Sequence, residues 1–177
     1  LPDDFGRRDV TLGADPETPL DAERILRALA EHEVDYVLVG GLAVQTHGHM
    51  RTTIDVDVFP RPDPSNLAQL ASALNALEAR VLNPGSESLA IDAAMLGRAT
   101  RWRFDTRHGA VDVLHDAPGA PAYDQLRERA LEVRLDDLAV AVAGRDDLIS
   151  MKRASGRPVD LDDLAALTEP ENGIEEH

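Results

Sequence analysis

Along the chain, apolar positions switch between the spacing of a helix and the alternation of a strand, and the switches mark out the elements. Ala22, Ile25, Leu26 and Leu29 fall on one helical face. Thr18-Pro19 with Asp21 supplies a start signal, so a helix is predicted from there to about His32. Val37, Leu38 and Val39 form a β-rich run stopped by Gly40-Gly41, and Leu42 to His47 has room for one or two helical turns. Ile54, Val56 and Val58 then alternate with Asp55 and Asp57, the period of a strand. Pro60, Pro62 and Pro64 close that strand, with Asp63 as a cap for an amphipathic helix carrying Leu67, Leu70, Ala71, Leu74 and Leu77.

Further on the signals are shorter. Ala79 to Leu82 reads as a brief strand, Asn83 to Ser88 as a turn, and Leu89 to Gly97 fits neither period. Trp102 to Thr106 and Ala110 to Leu114, joined through Arg107-His108-Gly109, predict a hairpin with glycine in its tight loop. Tyr123 to Ala130 reads as helix, and Leu131 to Arg134 and Leu138 to Val142 as strands. Asp146 to Ser155 and Asp160 to Leu167 read as helices separated by Gly156-Arg157-Pro158. Helices interleaved with about five strands predict a single α/β or α+β domain with a mixed sheet. The expected organisation is an irregular lead-in over 1–17, a domain over 18–168 and an acidic tail over 169–177 that frays.

Composition narrows what such a domain does. At 177 residues and 43% hydrophobic, the chain is long enough for a real core, although only 3% aromatic, so Leu, Val, Ile and Ala must fill it. With no cysteine there is no disulfide and no thiolate metal site, which fits the cytoplasm. Nothing approaches the ~20 apolar residues of a membrane span. A first residue of Leu1 rather than Met reads as a chain lacking its initial residues. A net charge of −15 counts against a broad nucleic-acid footprint. The basic residues do group, at Arg98, Arg101, Arg103 and Arg107 and again at Lys152, Arg153 and Arg157, and both groups read first as solvated surface.

The chemistry concentrates between Val37 and Pro60. Asp55 and Asp57 project from one face of their strand, roughly 6–7 Å apart. Neighbouring acids repel, and a divalent cation is the usual reason to hold them together. Glycines lacking Cβ beside a helix start suit a phosphate, and the adjacent acids suit its Mg²⁺. Asp112, in Val-Asp-Val-Leu, joins the same face if the hairpin strand lies beside that of Asp55 and Asp57. Asp105, on the partner strand, competes for that third place. Lys152, the only lysine, sits on the apolar arc of its helix and needs an anionic partner, one of the site acids or a triphosphate. Arg51 either adds charge near the glycines or is plain surface. His47 and His49 make only a loose His-x-His pattern, and no Walker or dinucleotide fingerprint is present.

The ordered combination Val-Gly-Gly-Leu-Ala-Val-Gln-Thr-His-Gly, a spacer, then Arg-Thr-Thr-Ile-Asp-Val-Asp-Val resembles the active-site signature of the nucleotidyltransferase superfamily. Within it the motif is similar to AbiEii-type, toxin-like enzymes of bacterial toxin–antitoxin and phage-defence systems. The resemblance implies a nucleotidyltransferase-like mixed β-sheet flanked by helices. It also implies Mg²⁺-dependent transfer of an NMP from an NTP to an acceptor hydroxyl, with Asp55, Asp57 and Asp112 as catalytic and metal-binding carboxylates. Gly40 and Gly41 would cradle the triphosphate, helped by Arg51 and by Lys152 as a nucleotide-contacting lysine. The implied acceptor is tRNA, with a protein or a small aminoglycoside-like molecule as the other candidates, and an antitoxin as a possible partner protein. The competing expectation is a non-catalytic module of the same fold that binds a partner protein, motivated by the absence of a sizeable second region to grip an acceptor.

Overall fold

The computed structural model describes residues 19–169, and the expectations for the lead-in and for the tail beyond Glu169 lie outside them. Helix α1 spans Ala22–Glu31 and buries Ile25, Leu26 and Leu29, the predicted face. Its cap is Asp21, whose carboxylate accepts the Arg24 amide at 3.1 Å; Thr18 lies outside the described residues. Strand β1, Tyr36–Val39, leads directly into helix α2, Gly40–Thr46. The glycine pair is therefore the first turn of α2, not a bend ahead of it. Strand β2 is Asp55–Pro60; Ile54 stays outside it and is 69% exposed.

Helix α3, Pro64–Ala76, starts where the sequence places it, with Asp63 accepting the Asn66 amide at 2.9 Å and proline in the first turn. Asn66 is fully buried, and its side chain takes the Asp35 amide while donating to the Asp35 and Arg61 carbonyls. That staples the end of β2 to the start of β1 and satisfies each buried polar group. The two-residue β3, Arg80–Val81, follows. The stretch that fitted neither period resolves as the single-turn α4, Ala93–Leu96, capped by Asp92, too short to show a repeat. Strands β4, Arg101–Thr106, and β5, Gly109–Leu114, form the predicted hairpin. Helix α5, Tyr123–Glu128, precedes a second hairpin of β6, Leu131–Leu135, and β7, Leu138–Val142. Helix α6, Arg145–Ser155, ends at Gly156 in the left-handed region (φ 62°), and α7, Pro158–Thr168, follows at once.

All strands share one mixed sheet of order β3-β4-β5-β2-β1-β7-β6, seven strands rather than about five, because the short β3 and the β6–β7 hairpin join it. β2 lies antiparallel to β1 and parallel to β5, and β1 lies parallel to β7. Three adjacent strands, β1, β2 and β5, hold the core: Val37, Val39, Val56, Val58, Val111 and Val113 are all fully buried. Apolar surface of this kind supplies the main stabilisation of the fold. This is an α/β domain with a mixed sheet flanked by helices. No helix among the described residues is long and apolar enough to cross a membrane.

Candidate active site

The parallel pairing of β2 with β5 sets Asp57 opposite Asp112. Alternation along β2 then brings Asp55 to the same face, and one carboxylate oxygen from each of the three lies within 4.8 Å of the others. Asp105 is not part of this cluster; it pairs with Arg80 at 2.9 Å. Asp112 is fully buried, while Asp55 and Asp57 are partly open. The Asp112 Oδ1 atom is buried without a hydrogen-bond partner. Three hard oxygen donors, one of them orphaned, fit a divalent cation such as Mg²⁺.

Gly40 closes one side of the cluster. Its φ of 68° is a left-handed conformation, and a Cβ there would overlap the Asp57 carboxylate. A Cβ on Gly41 would come within 2.7 Å of Thr53 Oγ1, the hydroxyl that donates to Asp55 Oδ1 at 3.2 Å. The glycines thus allow α2 to start hard against the acids. Burial pushes the Asp57 carboxyl up to about 7, reinforced by the charges of Asp55 and Asp112 and opposed by those of Arg101 and Lys152.

Two residues of the basic group read as surface belong to this site. Arg101 Nη2 is paired with Asp112 Oδ2. Arg103 reaches Asp55 Oδ2 at 3.6 Å and Asp112 Oδ1 at 3.7 Å. The signal was in the hairpin: a tight loop pairs Thr106 with Gly109, which sets Arg103 opposite Asp112. Arg107, past the end of that stretch, pairs with Glu78 instead.

Lys152 and Arg51 are engaged elsewhere. Lys152 is buried, and its Nζ lies 3.0 Å from Asp160 Oδ1 and 2.8 Å from Asp163 Oδ2. Its anionic partners are therefore the acids of α7 and not Asp55, Asp57 or Asp112. Arg51 Nη1 also holds Asp163, at 2.6 Å. Burial opposes the Asp160 charge, but hydrogen bonds from Arg157, Lys152 and Ser155 outweigh it and keep the carboxyl well below the usual range. Asp160 also accepts the Arg157 amide at the start of α7, so it caps that helix as well. Of the histidines, His47 Nε2 meets the Ala143 carbonyl at 2.9 Å and His49 faces Asp163 at 3.8 Å, neither among the three acids. Arg51 and Asp163 line a recess of about 630 Å³ together with His49, Thr52, Asp162 and Glu169.

A family model described as a nucleotidyltransferase of unknown function (DUF6036) matches residues 20–168. A search of curated proteins finds no match. Among solved structures, the lincomycin-bound lincosamide antibiotic adenylyltransferase LnuA superposes with a TM-score of 0.61 at 13% identity, over 85% of this chain and 98% of that one. The antibiotic-resistance factor ANT(2'')-Ia in solution gives 0.56 at 16% identity, over 82% and 79%. Its complex with adenylyl-2''-tobramycin gives 0.55 at 16%, over 82% and 84%. At these identities the likeness is one of fold.

Proposed function

The chain belongs to the nucleotidyltransferases of the DUF6036 family, and from that premise we propose that it transfers an NMP from an NTP to the hydroxyl of a small, amine-bearing acceptor. The observation that carries the reading is the convergence of Asp55, Asp57 and Asp112 within 4.8 Å, beside a glycine pair whose missing Cβ atoms let helix α2 start hard against them. Asp55, Asp57 and Asp112 would hold Mg²⁺, which supplies charge for the triphosphate and for the departing pyrophosphate. Asp112 accepts the proton of the acceptor hydroxyl as its oxygen forms a bond to the α-phosphorus. The bond from that phosphorus to the bridging oxygen breaks, and pyrophosphate leaves in line with the attack. Gly40 and Gly41 keep the approach to the acids free of side chains. Lys152 acts through its field on Asp57, and Arg51 orders the adjoining loop by gripping Asp163.

Charge supports a small cationic acceptor over RNA. The chain carries −15 overall, which opposes a broad RNA footprint. Asp162 and Glu169 at the edge of the recess suit amines. LnuA with lincomycin and ANT(2'')-Ia with adenylyl-2''-tobramycin are relatives in fold whose ligands are of this kind. A toxin-like enzyme that modifies tRNA and is restrained by an antitoxin is the second reading, favoured by the Val-Gly-Gly to Asp-Val-Asp motif. Both place the protein in the cytoplasm, where NTP and Mg²⁺ are abundant. Incubating the protein with each labelled NTP, Mg²⁺ and, in separate reactions, aminoglycosides, lincosamides and total tRNA tests them. Label in a small molecule, lost in Asp55→Ala, supports the first; label in tRNA alone replaces it with the second. No transfer to any acceptor removes both.

A further inference from the structure

Arg101 and Arg103 lie against two of the three acids that would hold a cation. Arg101 holds Asp112 Oδ2, and Arg103 lies between Asp55 Oδ2 and Asp112 Oδ1. The acids are the inner partners: the Asp112 side chain is 0% exposed, whereas those of Arg101 and Arg103 are 52% and 38% exposed. Each guanidinium therefore has donors turned toward solvent while one edge faces the carboxylates. The Arg103 distances exceed a hydrogen bond, so its hold on the two acids is loose. Once a divalent cation neutralises the acids, both arginines lose their counter-charge, next to the place where a polyanion would arrive.

From this geometry we infer that Arg101 and Arg103 are triphosphate-binding residues that stand in for the cation at the acids and transfer to the phosphates when cation and nucleotide bind together. The inference rests on the nucleotidyltransferase reading of the site and adds to it a specific role for the β4 arginines. A planar guanidinium suits both partners, since it forms paired hydrogen bonds with carboxylate and phosphate alike. The consequence is an exchange of ion pairs: cation alone competes with the arginines for the charge of the acids, whereas cation with triphosphate gives them a new partner. Cation and triphosphate therefore bind with positive coupling.

The experiment measures two affinities in wild type, Arg101→Gln, Arg103→Gln and the charge control Arg80→Gln. Arg80 lies on the neighbouring strand and pairs with Asp105, away from the three acids. The first affinity is for Mn²⁺ alone, read by its paramagnetic resonance signal. The second is for inorganic tripolyphosphate, and for each NTP, in saturating Mg²⁺, read by calorimetry. Removing either β4 arginine is expected to tighten Mn²⁺ about tenfold and weaken the triphosphates about tenfold or more, in opposite directions, with little change in Arg80→Gln. Thermal midpoints within a few degrees of wild type show that the variants fold; Arg103→Lys, keeping the charge but not the fork, should fall between. Equal effects from Arg80→Gln, or both affinities moving together, overturn the inference while leaving the site reading in place. Wild-type protein that binds neither Mn²⁺ nor any triphosphate overturns both.

Discussion

Asp57 and Asp112 face each other across two parallel strands although 55 positions separate them in the chain. Neither strand end nor loop fixes that pairing; the crossover through α3, β3, α4 and β4 does. Replacing either acid removes part of a cluster that only the assembled sheet creates. Asp57→Ala and Asp112→Asn are each expected to lower nucleotidyl transfer by about a hundredfold or more. The measurement is the rate of pyrophosphate release in Mg²⁺ with the labelled acceptor. Activity within a few-fold of wild type in either variant contradicts the assignment.

The same cluster sets a pH dependence. Asp57 is raised to about 7 in the folded protein, against about 3.9 in an unfolded chain. Between those values the folded state binds more protons than the unfolded state, so stability falls as pH rises and levels off above the folded pKa. Without divalent cation, the thermal midpoint should decline from pH 5 to pH 7.5. Asp57→Asn should flatten that decline, and added Mg²⁺ should oppose it, because the cation favours the ionised carboxyl. Melts in chelator and in Mg²⁺, for both proteins, decide the matter.

Gly40 and Gly48 separate strain from obstruction. Both have positive φ, 68° and 91°, but only at Gly40 does a Cβ meet another side chain. Gly48→Ala is expected to cost about 1–2 kcal/mol of backbone strain and leave catalysis intact. Gly40→Ala carries similar strain and also displaces the Asp57 carboxylate, so it should lose activity about as far as Asp57→Ala does. Denaturant titrations and turnover on the pair test this; equal activity in the two variants would refute a role for the close approach of Gly40 to Asp57.

Lys152→Met removes the cation shared by two buried acids. Breaking a buried charge cluster from one side costs about 3–5 kcal/mol, and the remaining Arg157 and Arg51 contacts place this case toward the lower end. It also takes away one of the two charges that hold the Asp57 pKa down. The expected signature is a lower thermal midpoint together with an activity profile displaced to higher pH. A stability loss with an unmoved profile would assign Lys152 a packing role alone.

Local pattern carried much of this arrangement, and long-range pairing carried the rest. Alternation placed Asp55 and Asp57 on one face because a strand has only two faces to offer. The tight Arg107-His108 loop sets Arg103 opposite Asp112, and the pairing of β5 with β2 brings Asp112 beside the other two acids. The parallel pairing itself left no local trace, since it is made by tertiary packing. Arg101 and Arg103 looked like solvated charge because composition sees clusters along the chain and not across strands. The apolar arc shows that Lys152 needs an anion but points to a site acid or a triphosphate; its partners sit on the next helix, eight and eleven positions on, where Asp160 reads equally well as a cap. The Gly40-Gly41 pair punctuates a strand in sequence, and its service as the first turn of α2 depends on the close approach of its backbone to Asp57.

Asp112 has a second consequence, for assembly of the fold. Its neighbours Val111 and Val113 are fully buried on the opposite side of β5. Slipping β5 by one position would thrust a lone carboxylate into hydrocarbon and strand two valines against charged groups, at heavy expense. Misaligned pairings are thereby disfavoured, so the acid we propose for chemistry also proofreads the alignment of the strands that carry it.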